Sequence, residues 1–488
     1  MSSPYPRARL AQARWAQLSV EERVRRISPA VQALADRMDE FAQRIHEENG
    51  KPMMEAVTHE IGASISTMRW LLDTAPRILQ DRSLSLSVFP NRKARVQRVP
   101  WGVVLVIGPW NVPLGIPVSQ VIPALLAGNA VVLKPSELTP RSAGILAEIL
   151  GGCDLPAGLF TLIEGAGDVG AELIAQRPDK LMFTGSVATG REVMAAAARH
   201  PIPVTLELGG VDAMIVCEDA DLEFTASAAA WGSTFNGGQV CASVERLIVH
   251  ASIRDRFQSL LVDKLERIDP RSDLGHITAP RQRQIYEAHL ADARDRGLEI
   301  PTGGRFLGPR QLAPTLVAGP GIEQADVWQQ ETFGPVVALT EFTDDAHAIA
   351  LHNSVSSGLT ASVFTADVAR AERIAGQLRA GLVSINDVGA TLYGQPELPW
   401  GGVGASGFGR SHGEEGLLDC SWPRVVEQTR VGVFGPKRPW WYPYDHHQQA
   451  LMAAFGRGLA ARAPAQRLGQ ALRAGRSLAA MLSRRPRL

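Results

Sequence analysis

Two hydrophobic periodicities divide this chain. Before residue 80 the apolar positions recur every three or four residues. Val24, Ile27, Val31, Leu34 and Met38 follow Ser19 and Glu22, whose spacing is that of a capping box at a helix start. A second such run, 53–79, carries Trp70, Leu71 and Leu72, so this region is expected to be helical. Residues 84–99 alternate instead (Leu84, Leu86, Val88; Val96, Val99) around Pro90-Asn91, the pattern of a hairpin. Beyond residue 100, short unbroken apolar runs take over, at 103–107, 130–133, 159–163, 180–183 and 204–206. Helical stretches such as 141–150 and 169–176 separate them. Strand–helix alternation of this kind predicts right-handed crossovers and a doubly wound parallel sheet, an α/β fold. A second α/β series starts near Asp212, with strands expected at 213–216, 246–249, 336–340 and 382–385. Gly209-Gly210 marks the boundary between the two series.

A chain of 488 residues exceeds one compact core, so two or more domains are expected. Fifty basic and fifty acidic side chains balance, which leaves no excess to recruit nucleic acid. The balance hides an asymmetry. From residue 431 onward there are ten Lys and Arg and one acid, Asp445. The four cysteines, Cys153, Cys217, Cys241 and Cys420, have neither disulfide-framework nor metal-ligand spacing. No metal site is expected. A polar N-terminus without an apolar core is no signal peptide, and no apolar stretch reaches the length of a membrane span. A reducing, cytoplasmic setting is expected.

Four segments bear candidate chemistry. Cys241 follows two adjacent glycines in Phe235-Asn236-Gly237-Gly238-Gln239-Val240-Cys241, where backbone and ligand can approach closely. A lone cysteine is more often a buried structural thiol; its company decides otherwise. Glu207 ends an apolar strand in Leu206-Glu207-Leu208-Gly209-Gly210, where a desolvated carboxyl suits a general base better than a salt-bridged core role. Asn111, between Pro109 and Pro113, is a turn residue by default and an oxyanion donor if it faces a nucleophile. Thr184-Gly185-Ser186 leads from a strand into a helix, an anion-binding geometry that is neither GxGxxG nor a P-loop. Lys134 and Glu137 follow another strand end, where a carboxylate can bond a ribose diol.

Together these segments resemble the aldehyde dehydrogenase superfamily from about residue 15 to about residue 430. The matching blocks, in order, are PWNVPL (109–114), LKPSELTP (133–140), FTGSVATG (183–190), LELGG (206–210), GGQVCASVER (237–246), ETFGPVV (331–337) and PWGGVGASGFGRSHG (399–413). The last is most similar to the branch of class 3, fatty and coniferyl aldehyde dehydrogenases. The resemblance implies an NAD-binding domain (1–81 and 100–209) and a catalytic domain (210–408). It also implies bridging and oligomerisation strands (82–99 and 420–431), with a basic tail (432–488) left over. It implies Cys241 as nucleophile, Glu207 as general base and Asn111 as oxyanion side chain. Lys134 and Glu137 would hold the adenosine ribose of NAD, with NADP the alternative. Gly185, Ser186 and Gly190 would lie under the pyrophosphate, with Trp110 and Leu208 nearby, and Glu331 and Phe333 at the nicotinamide ribose and ring.

The implied reaction oxidises an aldehyde to its acid through a Cys241 thioester. Two rivals remain: a CoA-acylating enzyme, against which Glu207 speaks, and a catalytically silent protein on the same fold. There are departures from the family pattern. Ser411 stands where several relatives carry an acid, and Val211 where a Lys is frequent. Trp231 and Phe235, one helical turn apart, line an apolar substrate mouth or are simply core. A hydrophobic aldehyde, medium or long-chain aliphatic, aromatic or isoprenoid, and a homodimer are expected. In the tail, Leu468, Ala471, Leu472, Ala479 and Leu482 share one helical face among arginines. That face fits peripheral contact with a membrane, docking on the protein body, or disorder, with Pro464 as an interruption.

Overall fold

The computed structural model describes residues 3–86, 92–389, 394–429, 441–442 and 444–482. Strands Val103–Ile107 and Ala130–Lys134 are buried at every position, as parallel strands covered by helices on both faces must be. They belong to a six-stranded sheet ordered Gly407–Phe408, Val204–Leu208, Lys180–Gly185, Val103–Ile107, Ala130–Lys134, Phe160–Leu162. The chain runs outward from Val103–Ile107 in one direction, then returns to build Lys180–Gly185 on its other side. The crevice of a doubly wound sheet opens at such a reversal. It lies here between the loop after Ile107 and the turn after Phe183. Gly407–Phe408, for which no strand was expected, joins the first sheet antiparallel to Val204–Leu208.

A seven-stranded sheet follows, ordered Glu299–Thr302, Thr315–Ala318, Val336–Phe342, Val244–His250, Asp212–Val216, Thr360–Phe364, Leu382–Ile385. All neighbours are parallel except Glu299–Thr302 at one edge. Separate apolar clusters cover its two faces. The N-terminal helices pack on the first sheet through Trp15, Phe41 and Leu71. Ser19 caps its helix as expected, accepting from Glu22 N–H. The 53–79 run is not one helix. It holds a π-helical turn, Ala56–Gly62, between Met53–Glu55 and Ala63–Ile78.

These elements form one compact unit, residues 1–80 with 98–424. A second, residues 81–97 with 425–488, carries the antiparallel pair Arg82–Leu84 and Arg92–Pro100, most of strand Ser421–Thr429 beside it, and two helices, His446–Ala460 and Pro464–Leu482. The Pro90-Asn91 turn lies outside the described residues. Pro464 opens the last helix rather than interrupting one, because a first-turn proline has no N–H to lose.

Candidate active site

The first crevice wall is the loop Gly108–Asn111. Asn49 Nδ2 donates to the Trp110 carbonyl at 2.8 Å and Asn236 Nδ2 to that of Asn111 at 3.1 Å. The Asn111 side chain donates to Gln239 O at 3.1 Å, so its amide already reaches the segment that carries the cysteine.

That segment is tightly wound. Asn236, Gly237 and Gly238 all have positive φ, at 54, 65 and 72°. A side chain at Gly238 would meet the Gly334 carbonyl at 2.1 Å, so only glycine fits there. Glu55 accepts from Asn236 N at 2.9 Å, and Gln239 ties the segment to His276 O at 2.8 Å and Thr278 N at 2.9 Å. Cys241 follows, half-buried. Burial, then the charges of Glu207, Asp212 and Glu331, push its thiol well above the usual range. The resting group is therefore a thiol, and its proton must be removed as the reaction begins.

Glu207 lies on strand Val204–Leu208, paired in register with Thr184 and Gly407. Burial raises its pKa to about 7; a hydrogen bond from Ser411 opposes the shift, Asp419 adds to it and Arg410 subtracts. One carboxylate oxygen, Oε1, is buried without a hydrogen-bond partner among the described residues. A buried acceptor left open at neutral pKa is suited to take a proton from water. Ser411 also contacts His412 Nδ1 at 3.1 Å, so the serine that replaces an acid still touches the base.

Cys241, Glu207, Asn111, Trp110, Gly185, Ser186, Leu208, Glu331, Phe333, Trp400 and His412 all line one cavity of about 180 Å³. Ser186 caps helix Val187–Ala198, its hydroxyl accepting from Thr189 N at 3.3 Å. Gly190 lies beneath the lining, packed so closely on Leu208 that a Cβ would fall 2.5 Å from it. Glu331 accepts from Gly210 N at 3.1 Å, and burial lifts its pKa to about 8. A Cβ on Gly209 would sit 2.1 Å from that carboxylate. At the boundary between the two series, Gly209 is thus required by a close approach. Phe333, at φ 54°, meets Trp110 edge-on at 5.4 Å between ring centres. Lys134 and Glu137 pair at 3.4 Å outside the cavity lining, with Glu137 exposed. The residues fit a dinucleotide: a helix N-terminus for phosphate, a carboxylate for ribose hydroxyls, and rings beside a flat heterocycle.

Trp231 and Phe235 do not line this cavity. Their rings stack at 4.8 Å, and His59, absent from the sequence candidates, packs on Phe235 at 4.4 Å and on Trp231 at 5.8 Å. Burial, with Lys51 adding, lowers the His59 pKa to about 4, so it is neutral near pH 7. Phe235, Val240, Leu359 and Trp400 form an apolar cluster against which Trp231 and Cys241 pack. Glu245, also missed, accepts from Thr332 N at 2.9 Å and Phe333 N at 2.8 Å, fixing the strand-free stretch beside Glu331. No local sequence pattern marks His59 or Glu245; the fold brings them in from distant segments.

A dinucleotide crevice that ends on a half-buried cysteine and an open carboxylate is the arrangement of a thiol-dependent aldehyde oxidoreductase. The chain belongs to the aldehyde dehydrogenase family, which it matches over residues 3–426. It is 43% identical over 447 residues to a 4,4'-diapolycopene aldehyde oxidase of Methylomonas sp, covering 90% of this chain and 83% of that protein. An NAD-dependent aldehyde dehydrogenase from Sinorhizobium meliloti superposes with a TM-score of 0.84 at 32% identity, over 90% of this chain and 88% of that one. Betaine aldehyde dehydrogenase from Staphylococcus aureus, solved with NAD+, gives 0.84 at 28% identity, over 90% and 89%. The protein is an oxidoreductase that oxidises aldehydes with NAD(P)+.

Proposed function

We propose that this enzyme converts a long apolar aldehyde, of the polyene or isoprenoid class, to its free acid through a Cys241 thioester that Glu207 hydrolyses. The carrying observation is that Glu207, with an unbonded oxygen and a pKa near 7, opens on the same cavity as Cys241. The Cys241 proton leaves to Glu207 or to water, and the sulfur adds to the carbonyl carbon. Asn111 Nδ2 turns from Gln239 O to the new oxyanion, joined by the Cys241 N–H. Bound NAD+ supplies the hydride acceptor. Glu207, having released to solvent any proton taken from Cys241, then takes a proton from water, whose oxygen attacks the thioester; the tetrahedral adduct collapses to the free acid, and the departing thiolate recovers a proton from Glu207.

Trp400 lines the cavity and belongs with Phe235 to the apolar cluster against which Trp231 and Cys241 pack, and that uncharged surface behind the cysteine favours an apolar chain. The polyene aldehyde named for the Methylomonas relative has that character. Glu207 favours hydrolysis over transfer to CoA. The test is product analysis with NAD+ and a series of aldehydes from short aliphatic to long polyene, without CoA. Free acid in step with NADH, best with long chains, is expected. A requirement for CoA contradicts the hydrolytic step; a preference for short polar aldehydes contradicts the substrate class.

The domain roles expected from the sequence are part of this proposal: 1–81 with 100–209 binding NAD, 210–408 catalytic, 82–99 with 420–431 pairing subunits. Val425, exposed on edge strand Ser421–Thr429, supports a homodimer, because an uncovered strand edge invites pairing. Light scattering is expected to report a dimer; a monomer at micromolar concentration contradicts it.

The C-terminal helices support contact with an anionic bilayer surface. No described helix is long and apolar enough to cross a membrane. Leu459, Leu468 and Leu472 are each more than 60% exposed, and Trp441, Tyr442 and Tyr444 are exposed just before the first helix. Eight arginines and no acid follow Asp445. Apolar and aromatic side chains set among arginines fit the headgroup boundary. The full chain is expected to float with anionic vesicles at low salt, and Leu468→Asp/Leu472→Asp to stay behind. Flotation of neither protein contradicts the contact.

A further inference from the structure

The π-helical turn Ala56–Gly62 was invisible in the periodicity, and such turns gather at functional sites. It follows Glu55 and contains Glu60, two carboxylates five residues apart, both buried. Glu55 holds the cysteine segment through Asn236 N at 2.9 Å. Glu60 does something different. Its Oε1 pairs with Lys51 Nζ at 2.5 Å, and both side chains are almost wholly buried. Its Oε2 accepts from Leu114 N at 3.1 Å and Gly115 N at 2.8 Å, at the start of helix Gly115–Leu126. Lys51 Nζ in turn donates to the Asn111 carbonyl at 3.0 Å. One ion pair therefore grips the segment 111–115 at both ends: a cation on the carbonyl of Asn111, an anion on the amides that follow.

A buried ion pair is an expensive way to hold a loop, since two charges lose their water, and it persists where the remaining donors and acceptors are satisfied. Here both ends are satisfied by the backbone of a single loop. The residue at its head is Asn111, whose amide must sit within tenths of an ångström of the developing oxyanion to be effective. We propose that Lys51 and Glu60 are positioning residues for Asn111. They act through the loop backbone and hold the side-chain amide where the oxyanion forms. This rests on the oxyanion role proposed for Asn111.

The test is a double-mutant cycle between Glu60→Gln and Asn111→Ala, read by the pre-steady-state NADH burst and the aldehyde KM. Glu60→Gln keeps an acceptor for the amides and removes the charge that anchors Lys51. Alone, each variant is expected to slow the burst about 10- to 100-fold with aldehyde KM and NAD+ affinity little changed. Combined, they are expected to be no slower than Asn111→Ala, because a mispositioned amide no longer matters once the amide is gone. Lys51→Arg, which keeps a cation on the Asn111 carbonyl, is expected to retain most of the burst rate. If Glu60→Gln fails to fold, Lys51→Gln enters the same cycle. Multiplicative effects of the two changes overturn the positioning role, as does a full-rate burst in a folded Glu60→Gln. A full-rate burst in Asn111→Ala instead overturns the oxyanion reading itself.

Discussion

The two sides of Cys241 are built from opposite materials. On the cofactor side stand buried carboxylates, Glu207, Asp212, Glu245 and Glu331, each raised above the usual carboxyl range by burial. On the other side stand His59, Trp231, Phe235 and Trp400, without a charge near neutral pH. In the proposed mechanism the acid-rich side moves protons and orients a charged dinucleotide. In the same proposal the aromatic side, which reaches the cavity through Trp400, sorts substrates by apolar surface. A change on the first side should alter rate with little regard to the aldehyde; a change on the second should alter aldehyde preference with little effect on the chemistry.

The largest effect belongs to the atom between them. Cys241→Ala is expected to reduce turnover by about 10⁴-fold or more while NAD+ binding, followed by fluorescence or calorimetry, stays within about twofold. Near-normal NADH production by this variant ends the covalent account.

Next comes pH. Because burial raises the Glu207 pKa to about 7, the carboxylate form that accepts a proton is lost as pH falls through 7. Thioester hydrolysis, isolated by pre-steady-state kinetics, is expected to fall about tenfold per unit below that point and to level off above it. A flat profile between pH 5 and 8 assigns water activation to another group.

On the aromatic side, Trp231→Leu and Phe235→Leu are expected to raise KM for long apolar aldehydes by about 3- to 10-fold, the scale of about 1 kcal/mol of aromatic contact. Short aldehydes should change less than twofold. Equal losses for both classes place the two rings in the core alone.

The smallest effect is expected at Glu137. NAD+ should be preferred over NADP+, because a 2′-phosphate would meet a like charge. The carboxylate is exposed, so Glu137→Gln is expected to improve NADP+ use by less than about tenfold. No change in the cofactor ratio removes Glu137 from that role.

The same contrast explains what was legible in the sequence. Strand 103–107 was read to the residue, since a parallel strand buried on both faces is an unbroken apolar run; 382–385 was also read to the residue, although it is a half-buried edge strand. Thr360–Phe364 was missed because Thr360 and Ser362 disguise a fully buried strand. Gly407–Phe408 is too short to carry a period. Cys241, Glu207 and Asn111 each stood at a strand end or beside glycines, where local pattern betrays them. Glu55, His59 and Glu60 sit in what reads as a continuous helix with Lys51 just before it, and apart from the Lys51–Glu60 pair the groups they hold lie from about 50 to 180 residues away. Nothing local distinguishes a buried carboxylate on a π-turn from a solvated one on an α-turn.

The most direct measurement is intact-mass analysis of Glu207→Gln after one exposure to NAD+ and a long-chain aldehyde, alongside the NADH burst. We expect a burst close to one equivalent per active site, then a stall, with an acyl mass increment that disappears in Cys241→Ala/Glu207→Gln. Continued turnover with no acyl adduct would contradict hydrolysis by Glu207.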